Sequence, residues 1–374
     1  MKYFITLVSI FLIYTNINAS LSDNNLPKRM VWSSYELGAS GYSEASAVAE
    51  GMMRKYDIRV RLHPSGTSIG RLLALKRNRV SIGFLGSEAY FSSEGIYDFS
   101  SKKWGPQDIR IILGRPNTFG IAVAGDSDIK TTADLKGRKV AYVTGNPSLN
   151  VKLEAMLAFA NLSWEDVNPK IYPGFTPTIK ALQNGKLDAA GAVPSGSAVY
   201  ELAASKKGIR WLSLPQNNTE GWKKLNQIIP FMNPQIETMG AGLDNDNPAY
   251  IGGYHYPNVT VYASASEDEV YNFIKALDQS FDLYKDINSV MYKWQLDIAA
   301  GTPAEAPIHK GAIKYLKEKK LWSIENEEWN NARLKRLNLL IKAWADFIKS
   351  NENLDEETFK KEWLKERDLV LAKN

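Results

Sequence analysis

Short apolar runs alternate with segments of helical periodicity along this chain, and the alternation occurs twice. The first series begins with the run 30–32 and ends with the run 80–85, and helical patterns such as 44–55 separate consecutive runs. A second series of the same kind extends from residue 109 to residue 212. Strands that alternate with helices form a parallel sheet with both faces covered. The sequence therefore predicts an α/β protein with two similar units.

The first unit is predicted to end near Pro116, because proline has no backbone N–H to donate and commonly interrupts a strand. Separate strands are therefore expected at 109–113 and 120–124. Beyond Pro215 the chain is rich in Asn, Pro and Gly, and the run 260–263 is interpreted as a strand that returns to the first unit. These boundaries place the first unit at residues 20–117 and 226–325, the second at 118–225, and a C-terminal helical extension at 326–374.

The first 19 residues have the pattern of a secretory signal peptide. Lys2 is followed by an apolar run from Tyr3 to Tyr14, and Ala19 supplies a small residue at a cleavage edge. The run is shorter than the roughly 20 apolar residues that a membrane-spanning helix needs. We therefore expect export with cleavage near Ala19, and an uncleaved membrane anchor is the alternative.

The residue types present exclude several kinds of chemistry. The chain has no Cys and only three His, which argues against a thiolate or histidine metal cluster. No metal and no cofactor is therefore expected. The formal net charge of +5 is small for 374 residues and is spread along the chain, so we expect no nucleic-acid partner.

Several predicted helices begin at turns that are rich in glycine and hydroxyl residues. Free backbone N–H groups make a helix N-terminus attractive to anions. Ligands of open α/β sheets bind beyond the carboxyl ends of strands, which is where these turns lie. Ser, Thr and Asn also cap helices at such positions, so capping alone is the alternative for each turn. The turns are residues 38–43, 65–68, 86–88, 145–148 and 194–197.

The segment Gly66-Thr67-Ser68-Ile69-Gly70 also matches the Gly-x-Ser-x-Gly turn of serine hydrolases. A hydrolase of this kind needs a histidine and an acid as well. His255 and His309 lie downstream, and neither ends a predicted strand. We therefore expect a binding protein with no catalytic residues, and a periplasmic serine hydrolase that uses Ser68 is the alternative.

The order of these segments resembles the TAXI-type solute-binding proteins of TRAP (tripartite ATP-independent periplasmic) transporters. The resemblance implies an α/β two-lobed periplasmic binding protein of type II-like architecture, here with extra C-terminal helices. It also implies a monomer in the periplasm whose lobes close on a small organic-acid or amino-acid ligand and deliver it to ion-coupled TRAP membrane permease subunits. The resemblance covers about residues 29–320 and rests on 37–43, 64–68, 72–75, 82–90, 129–141 and 181–190.

Side chains of both lobes are carried over from this resemblance as ligand-binding residues. Glu88 is added because an uncharged residue is more common there, and it is expected to mark an unusual ligand. Tyr35 is a candidate for the cleft wall because it lies beside a glycine turn. The ligand carboxylate is expected to be held without a matching arginine. The carried-over residues are Tyr42, Ser65, Thr67, Ser68 and Ser87 in the first lobe, and Asn146, Ser148, Asn150, Ser195 and Ser197 in the second.

Overall fold

The computed structural model describes residues 24–373, which form two α/β lobes joined by two long strands. The predicted signal peptide, residues 1–19, lies outside the described residues. The strands are β1 (Arg29–Tyr35), β2 (Arg59–Ser65), β3 (Ile82–Leu85), β4 (Ile109–Ala124), β5 (Lys139–Val143), β6 (Asn168–Tyr172), β7 (Ala189–Ala192), β8 (Ile209–Leu212), β9 (Asn233–Glu237) and β10 (Ala249–Tyr262). The helices are α1 (Ser40–Tyr56), α2 (Ser68–Lys76), α3 (Glu88–Glu94), α4 (Pro147–Phe159), α5 (Phe175–Gln183), α6 (Ser197–Ala203), α7 (Thr219–Ile228), α8 (Glu267–Gln279), α9 (Leu296–Ala299), α10 (Lys310–Glu318), α11 (Ile324–Ser350) and α12 (Glu356–Ala372).

The ten strands form one hydrogen-bonded sheet, which β4 carries from lobe 1 into lobe 2. In lobe 1, β1 pairs in parallel with β2 and β3, and β10 and β4 continue the sheet in antiparallel orientation. In lobe 2, β5 pairs in parallel with β6 and β7, while β7 and β8 pair with the second half of β4. Buried aromatic rings fill the core of lobe 1, where Trp32 stacks on Phe84 with ring centroids 5.4 Å apart. The prediction of a two-lobed α/β fold with additional C-terminal helices is confirmed.

The strands β4 and β10 run antiparallel to each other and cross from one lobe to the other. The predicted break of β4 near Pro116 is wrong, because one continuous strand spans Ile109–Ala124. Pro116 faces His255, next to a register shift between His255 and Asn258 in β10. Proline is tolerated in a sheet at such an irregularity, where a regular ladder bond from its nitrogen is not required.

A buried ion pair fixes α1 to this crossing strand. The Arg115 guanidinium donates to both carboxylate oxygens of Glu44, at 2.5 Å and 2.6 Å, and both side chains are fully buried. Glu44 also accepts from the indole nitrogen of Trp294 at 2.8 Å. A buried pair that makes this many hydrogen bonds has its desolvation cost offset, so the first turn of α1 has a defined position beside the cleft.

The C-terminal helices pack on lobe 1. The Glu94 carboxylate at the end of α3 pairs with Arg333 and Arg336 of α11 and with Arg367 of α12. The indole nitrogen of Trp363 donates to the Gly95 carbonyl at 2.7 Å. Among the described residues, no helix is both long and apolar enough to cross a membrane.

Candidate functional site

A narrow cavity of about 50 Å³ lies where the two lobes meet. Its walls follow the carboxyl ends of strands in both lobes: Tyr35 ends β1, Ser65 ends β2, and Asn146 follows β5. Apolar side chains such as Phe119 and Phe175 line the remainder. The cavity therefore lies where ligands of open α/β sheets bind, and it combines a few polar groups with apolar walls.

Arg71 of α2 brings a positive charge to the lobe 1 wall, although it is only 1% exposed. Its Nε donates to Glu88 Oε1 at 2.8 Å, and one terminal nitrogen donates to the Ser65 carbonyl at 3.2 Å. The guanidinium also lies 3.9 Å from the centroid of the Tyr35 ring. Its charge is therefore balanced within lobe 1 by Glu88.

Lys152 of α4 brings a second positive charge to the wall, from lobe 2, and is 3% exposed. Its Nζ lies 4.4 Å from the ring centroid of Phe119 and 4.1 Å from that of Tyr254, both on the crossing strands. No carboxylate between residues 24 and 373 forms an ion pair with it. Burial lowers the pKa of Lys152 to about 7, an effect that the nearby Arg71 charge reinforces and that Glu88 and Glu305 oppose.

Polar atoms without a protein partner converge beside the cavity. Within the described chain, Tyr35 Oη and Glu88 Oε2 are buried and accept or donate no hydrogen bond. A methyl group on Gly86 would lie 2.7 Å from Tyr35 Oη, 2.7 Å from Ser148 Oγ and 2.9 Å from Glu88 Oε2. Burial raises the pKa of Tyr35 well above its ordinary value, helped by the Glu88 charge, so its hydroxyl keeps its proton. Because buried polar groups are almost always paired, this corner of the cavity suits a polar ligand group.

Three of the predicted binding residues, Ser65, Asn146 and Ser148, line the cavity. Asn146 and Ser148 also hold the lobes together. Ser68 Oγ donates to Asn146 Oδ1 at 2.6 Å and accepts from the Ser148 backbone N–H at 3.2 Å, and Ser148 Oγ accepts from the Ser87 N–H at 3.0 Å. Ser195 Oγ lies 2.7 Å from Ser40 Oγ across the same interface. The lobes are therefore closed on each other in this structure.

Four of the other predicted binding residues lie away from the cavity wall. Thr67 caps α2, where its hydroxyl accepts from the Gly70 N–H at 3.1 Å. Asn150 binds the backbone of Val143 through both its oxygen and its nitrogen. Tyr42 packs against the apolar core, and Ser197 is exposed. These four side chains have structural roles or face solvent.

The Ser68 hydroxyl lies beside the side-chain amide of one residue and the guanidinium group of another. Its Oγ is bonded to Asn146 and lies 3.4 Å from a terminal nitrogen of Arg71. His255 instead pairs with Glu305, and the His309 side chain caps α10. Between residues 24 and 373, no histidine hydrogen-bonds to Ser68, so the base that a serine nucleophile needs is not beside it.

The expectation that a ligand carboxylate is held without a matching arginine stays a prediction, because Arg71 is paired with Glu88. Sequence reasoning missed both cations of the cavity wall, Arg71 and Lys152. The sequence spacing of Arg71 and Lys152 from the hydroxyl-rich turns indicates that they lie near the site. Arg71 follows Ser68 by three residues and Lys152 follows Ser148 by four, and helix residues three or four apart lie on one face. A search one turn beyond each hydroxyl-rich turn would have found both cations.

The sequence model of the NMT1-like family matches residues 39–319 of the chain. The matched segment begins one residue before α1 and ends just beyond α10. It therefore covers lobe 2, lobe 1 except its first strand β1, the crossing strands and both cations of the cavity. It stops before the helices α11 and α12.

Individual relatives resemble smaller parts of the chain or resemble it more distantly. A curated protein of Escherichia coli (strain K12), provisionally named an aliphatic sulfonates-binding protein, is 43% identical over 75 residues, which are 20% of this chain and 23% of that protein. The chain thus matches about a quarter of that relative's length. The alkanesulfonate-binding protein of Xanthomonas axonopodis pv. citri, solved with bound MOPS, gives a TM-score of 0.43 at 16% identity over 79% of this chain and 91% of that chain. A structure described as a periplasmic transporter gives 0.49 at 14% identity over 83% and 96%.

Proposed function

Since the chain belongs to the NMT1-like family, we propose that it is an exported solute-binding receptor that holds one small organic anion between its lobes. The observation that carries this proposal is the meeting of Arg71 from lobe 1 and Lys152 from lobe 2 in one buried cavity. Two cations at close quarters repel each other, and an anion between them removes that repulsion. Anion binding therefore favours the closed arrangement of the lobes.

The ligand proposed here has an anionic head and a short apolar body. The head lies near Lys152, Arg71 and the Tyr35 hydroxyl, and the body contacts Phe119 and Phe175, which line the same cavity. Carboxylates and sulfonates both fit this chemistry, and a sulfonate-binding function is named for one relative of this chain. Amino acids and organic acids remain in the proposed class because of the sequence resemblance.

The proposed partner is an ion-coupled TRAP permease, and the proposed location is the periplasm, where the receptor acts as a monomer. Support comes from the ordered TAXI-like segments, among them 82–90 and 181–190. A gene for a large multi-span permease beside this gene is the expected observation. A gene for a transporter ATPase in that place would favour an ATP-driven permease as the partner.

A thermal-shift screen with monocarboxylates, dicarboxylates, amino acids and aliphatic sulfonates tests the receptor proposal. We expect at least one anion to raise the melting temperature, because a ligand that binds only the folded state stabilises it. Lys152→Met should then weaken the affinity by about 10–100-fold, since a charge-assisted hydrogen bond contributes about 1.5–3 kcal/mol.

The matched control is Lys180→Met, which removes an exposed lysine of the same lobe. Its affinity should equal that of the unmodified protein in isothermal titration calorimetry. The receptor proposal fails if no anion of the panel binds, or if both variants bind equally well. Ester hydrolysis that Ser68→Ala abolishes would favour the hydrolase alternative.

A further inference from the structure

The two cations of the cavity differ in how their charges are balanced. Arg71 is paired with Glu88 at 2.8 Å, and both side chains are buried. Lys152 has the faces of Phe119 and Tyr254 beside its ammonium group and forms no ion pair with any residue between 24 and 373. When Lys152 is protonated, its charge therefore has no carboxylate in direct contact.

The charged groups near Lys152 come from several elements, and none of them forms an ion pair with it. Glu88 of α3 is held by Arg71 of α2. Glu305, which precedes α10, pairs with His255 of β10 through atoms 3.3 Å apart. Tyr254 of β10 keeps its proton, because burial raises the pKa of its hydroxyl well above the ordinary value. An uncompensated buried ammonium is costly, and its proton is easily lost.

We infer that Lys152 is the group whose charge the ligand neutralises, so that the site takes up a proton when an anion binds. This inference rests on the proposed receptor function. The Glu36 carboxylate on the same cavity wall accepts from the Thr176 N–H at 3.0 Å and forms no ion pair with Lys152. A bound anion in contact with the ammonium supplies the missing counter-ion, and a buried ammonium without one is strongly unfavourable.

The proton uptake follows from the state of Lys152 before binding. Its pKa of about 7 leaves the ligand-free lysine partly neutral near neutral pH. A bound anion stabilises the ammonium and raises this pKa toward the ordinary range. The number of protons taken up should therefore be small well below pH 7 and should rise toward one per bound anion well above pH 7. Above neutrality the affinity should fall by up to about tenfold per pH unit.

Isothermal titration calorimetry in buffers of different ionisation enthalpy measures this uptake directly. Butyrate, ethanesulfonate and succinate serve as the probe anions. We expect proton uptake with each anion that binds, and no uptake in Lys152→Met. Binding with no proton uptake at pH 7 and pH 8 would overturn the inference and leave the receptor proposal intact.

A second measurement needs no bound anion. An ammonium whose folded pKa is lowered makes the folded chain bind fewer protons than the unfolded chain between about pH 7 and the ordinary lysine value of 10.5. Burial of the charged Lys152 therefore lowers the free energy of unfolding by its full amount below about pH 7, and this loss of stability becomes smaller as the pH rises. Wild-type stability should thus approach that of Lys152→Met between about pH 7 and pH 9.5 in urea denaturation, whereas Lys180→Met should show no such trend. A pH-independent difference between wild type and Lys152→Met would also overturn the inference.

Discussion

The hydrogen-bond partners of individual polar side chains at the lobe interface show their structural roles. Asn146 caps α4, accepts from Ser68 and donates to the Gly66 carbonyl at 3.1 Å. Thr67 bonds only within its own turn and helix, where it caps α2. The residues of the hydroxyl-rich turns therefore either join the two lobes or cap a helix. The hydrogen-bond partner of each side chain shows which of these two roles it has.

Thr67→Ala should destabilise the fold without changing anion affinity. The substitution removes the acceptor for the Gly70 N–H, and loss of such a cap costs about 1 kcal/mol. Urea denaturation measures the stability, and calorimetry with the best-binding anion of the panel measures the affinity. Thr67→Ser keeps a hydroxyl at this position and should retain most of the stability. A clear loss of affinity in Thr67→Ala alone would instead place Thr67 in the binding site.

At the scale of elements, the helices that deliver the cations begin at the cleft. Arg71 and Lys152 lie near the start of α2 and α4, so each cation is held close to the lobe interface by a capped helix end. The helices α11 and α12 depend on a different contact, the buried Glu94 carboxylate with its three arginines. Burial alone would raise the pKa of Glu94, but the hydrogen bond from Arg336 and the arginine charges outweigh it and lower the pKa.

Glu94→Gln should loosen the two C-terminal helices in a pH-dependent way. Because the folded pKa lies below the ordinary value of 4.5, the stabilisation is present above about pH 4.5 and is lost as the pH falls through the folded pKa. At pH 7 the substitution should cost about 2–3 kcal/mol. The difference from wild type should shrink below about pH 4.5.

Urea denaturation followed by tryptophan fluorescence reports this change, since Trp363 packs beside Glu94 through Gly95. The control is Glu362→Gln, which removes only the surface pair with Lys365 and should change stability by less than about 0.5 kcal/mol. Equal stability of Glu94→Gln and wild type at pH 7 would contradict the proposed role of the arginine cluster.

At the scale of the whole molecule, direct hydrogen bonds join the two lobes on several sides of the cavity. Besides the serine contacts, the Thr176 N–H of lobe 2 donates to Glu36 Oε1 of lobe 1 at 3.0 Å, and the Thr176 hydroxyl donates to the Leu37 carbonyl at 2.7 Å. The strands β4 and β10 join the lobes, so bending of these strands would separate the contacts. Opening and closing of the lobes is therefore the motion we expect to accompany binding.

The double variant Ser40→Cys/Ser195→Cys should trap the closed state. The two hydroxyl oxygens lie 2.7 Å apart, and the chain has no other cysteine that could interfere. A disulfide should form under mild oxidation, and it should form faster when a binding anion is present, because the anion increases the closed population. Non-reducing gel electrophoresis at successive times gives the rate. An oxidation rate that the anion does not change would argue against ligand-linked closure.

Ser43→Cys/Ser197→Cys is the matched control, since both serines are exposed, and they lie on α1 and at the start of α6, within three residues of the reactive pair. This pair should not cross-link at a comparable rate, with or without the anion. Slow release of the anion from the oxidised Ser40→Cys/Ser195→Cys protein is a further expected result, and reduction should restore fast release.

Much of the architecture was predictable from the sequence because strand and helix patterns depend on neighbouring residues. The alternation of apolar runs with helical segments predicted both lobes, and the hydroxyl-rich turns indicated the strand ends at which the cavity lies. Ser65, Asn146 and Ser148 line the cavity for this reason. The continuity of β4 through Pro116 was not predictable, because it depends on the irregular pairing with distant β10.

The sequence by itself therefore determined the order of elements and the edge of the sheets that carries the site. Only the tertiary structure decided the charge of that site. Arg71 and Lys152 lie in different lobes, and the distances that balance one cation and leave the other without a counter-ion exist only in the folded, closed chain. Electrostatic energy depends on separation and burial in space, and a sequence pattern specifies neither for residues so far apart along the chain.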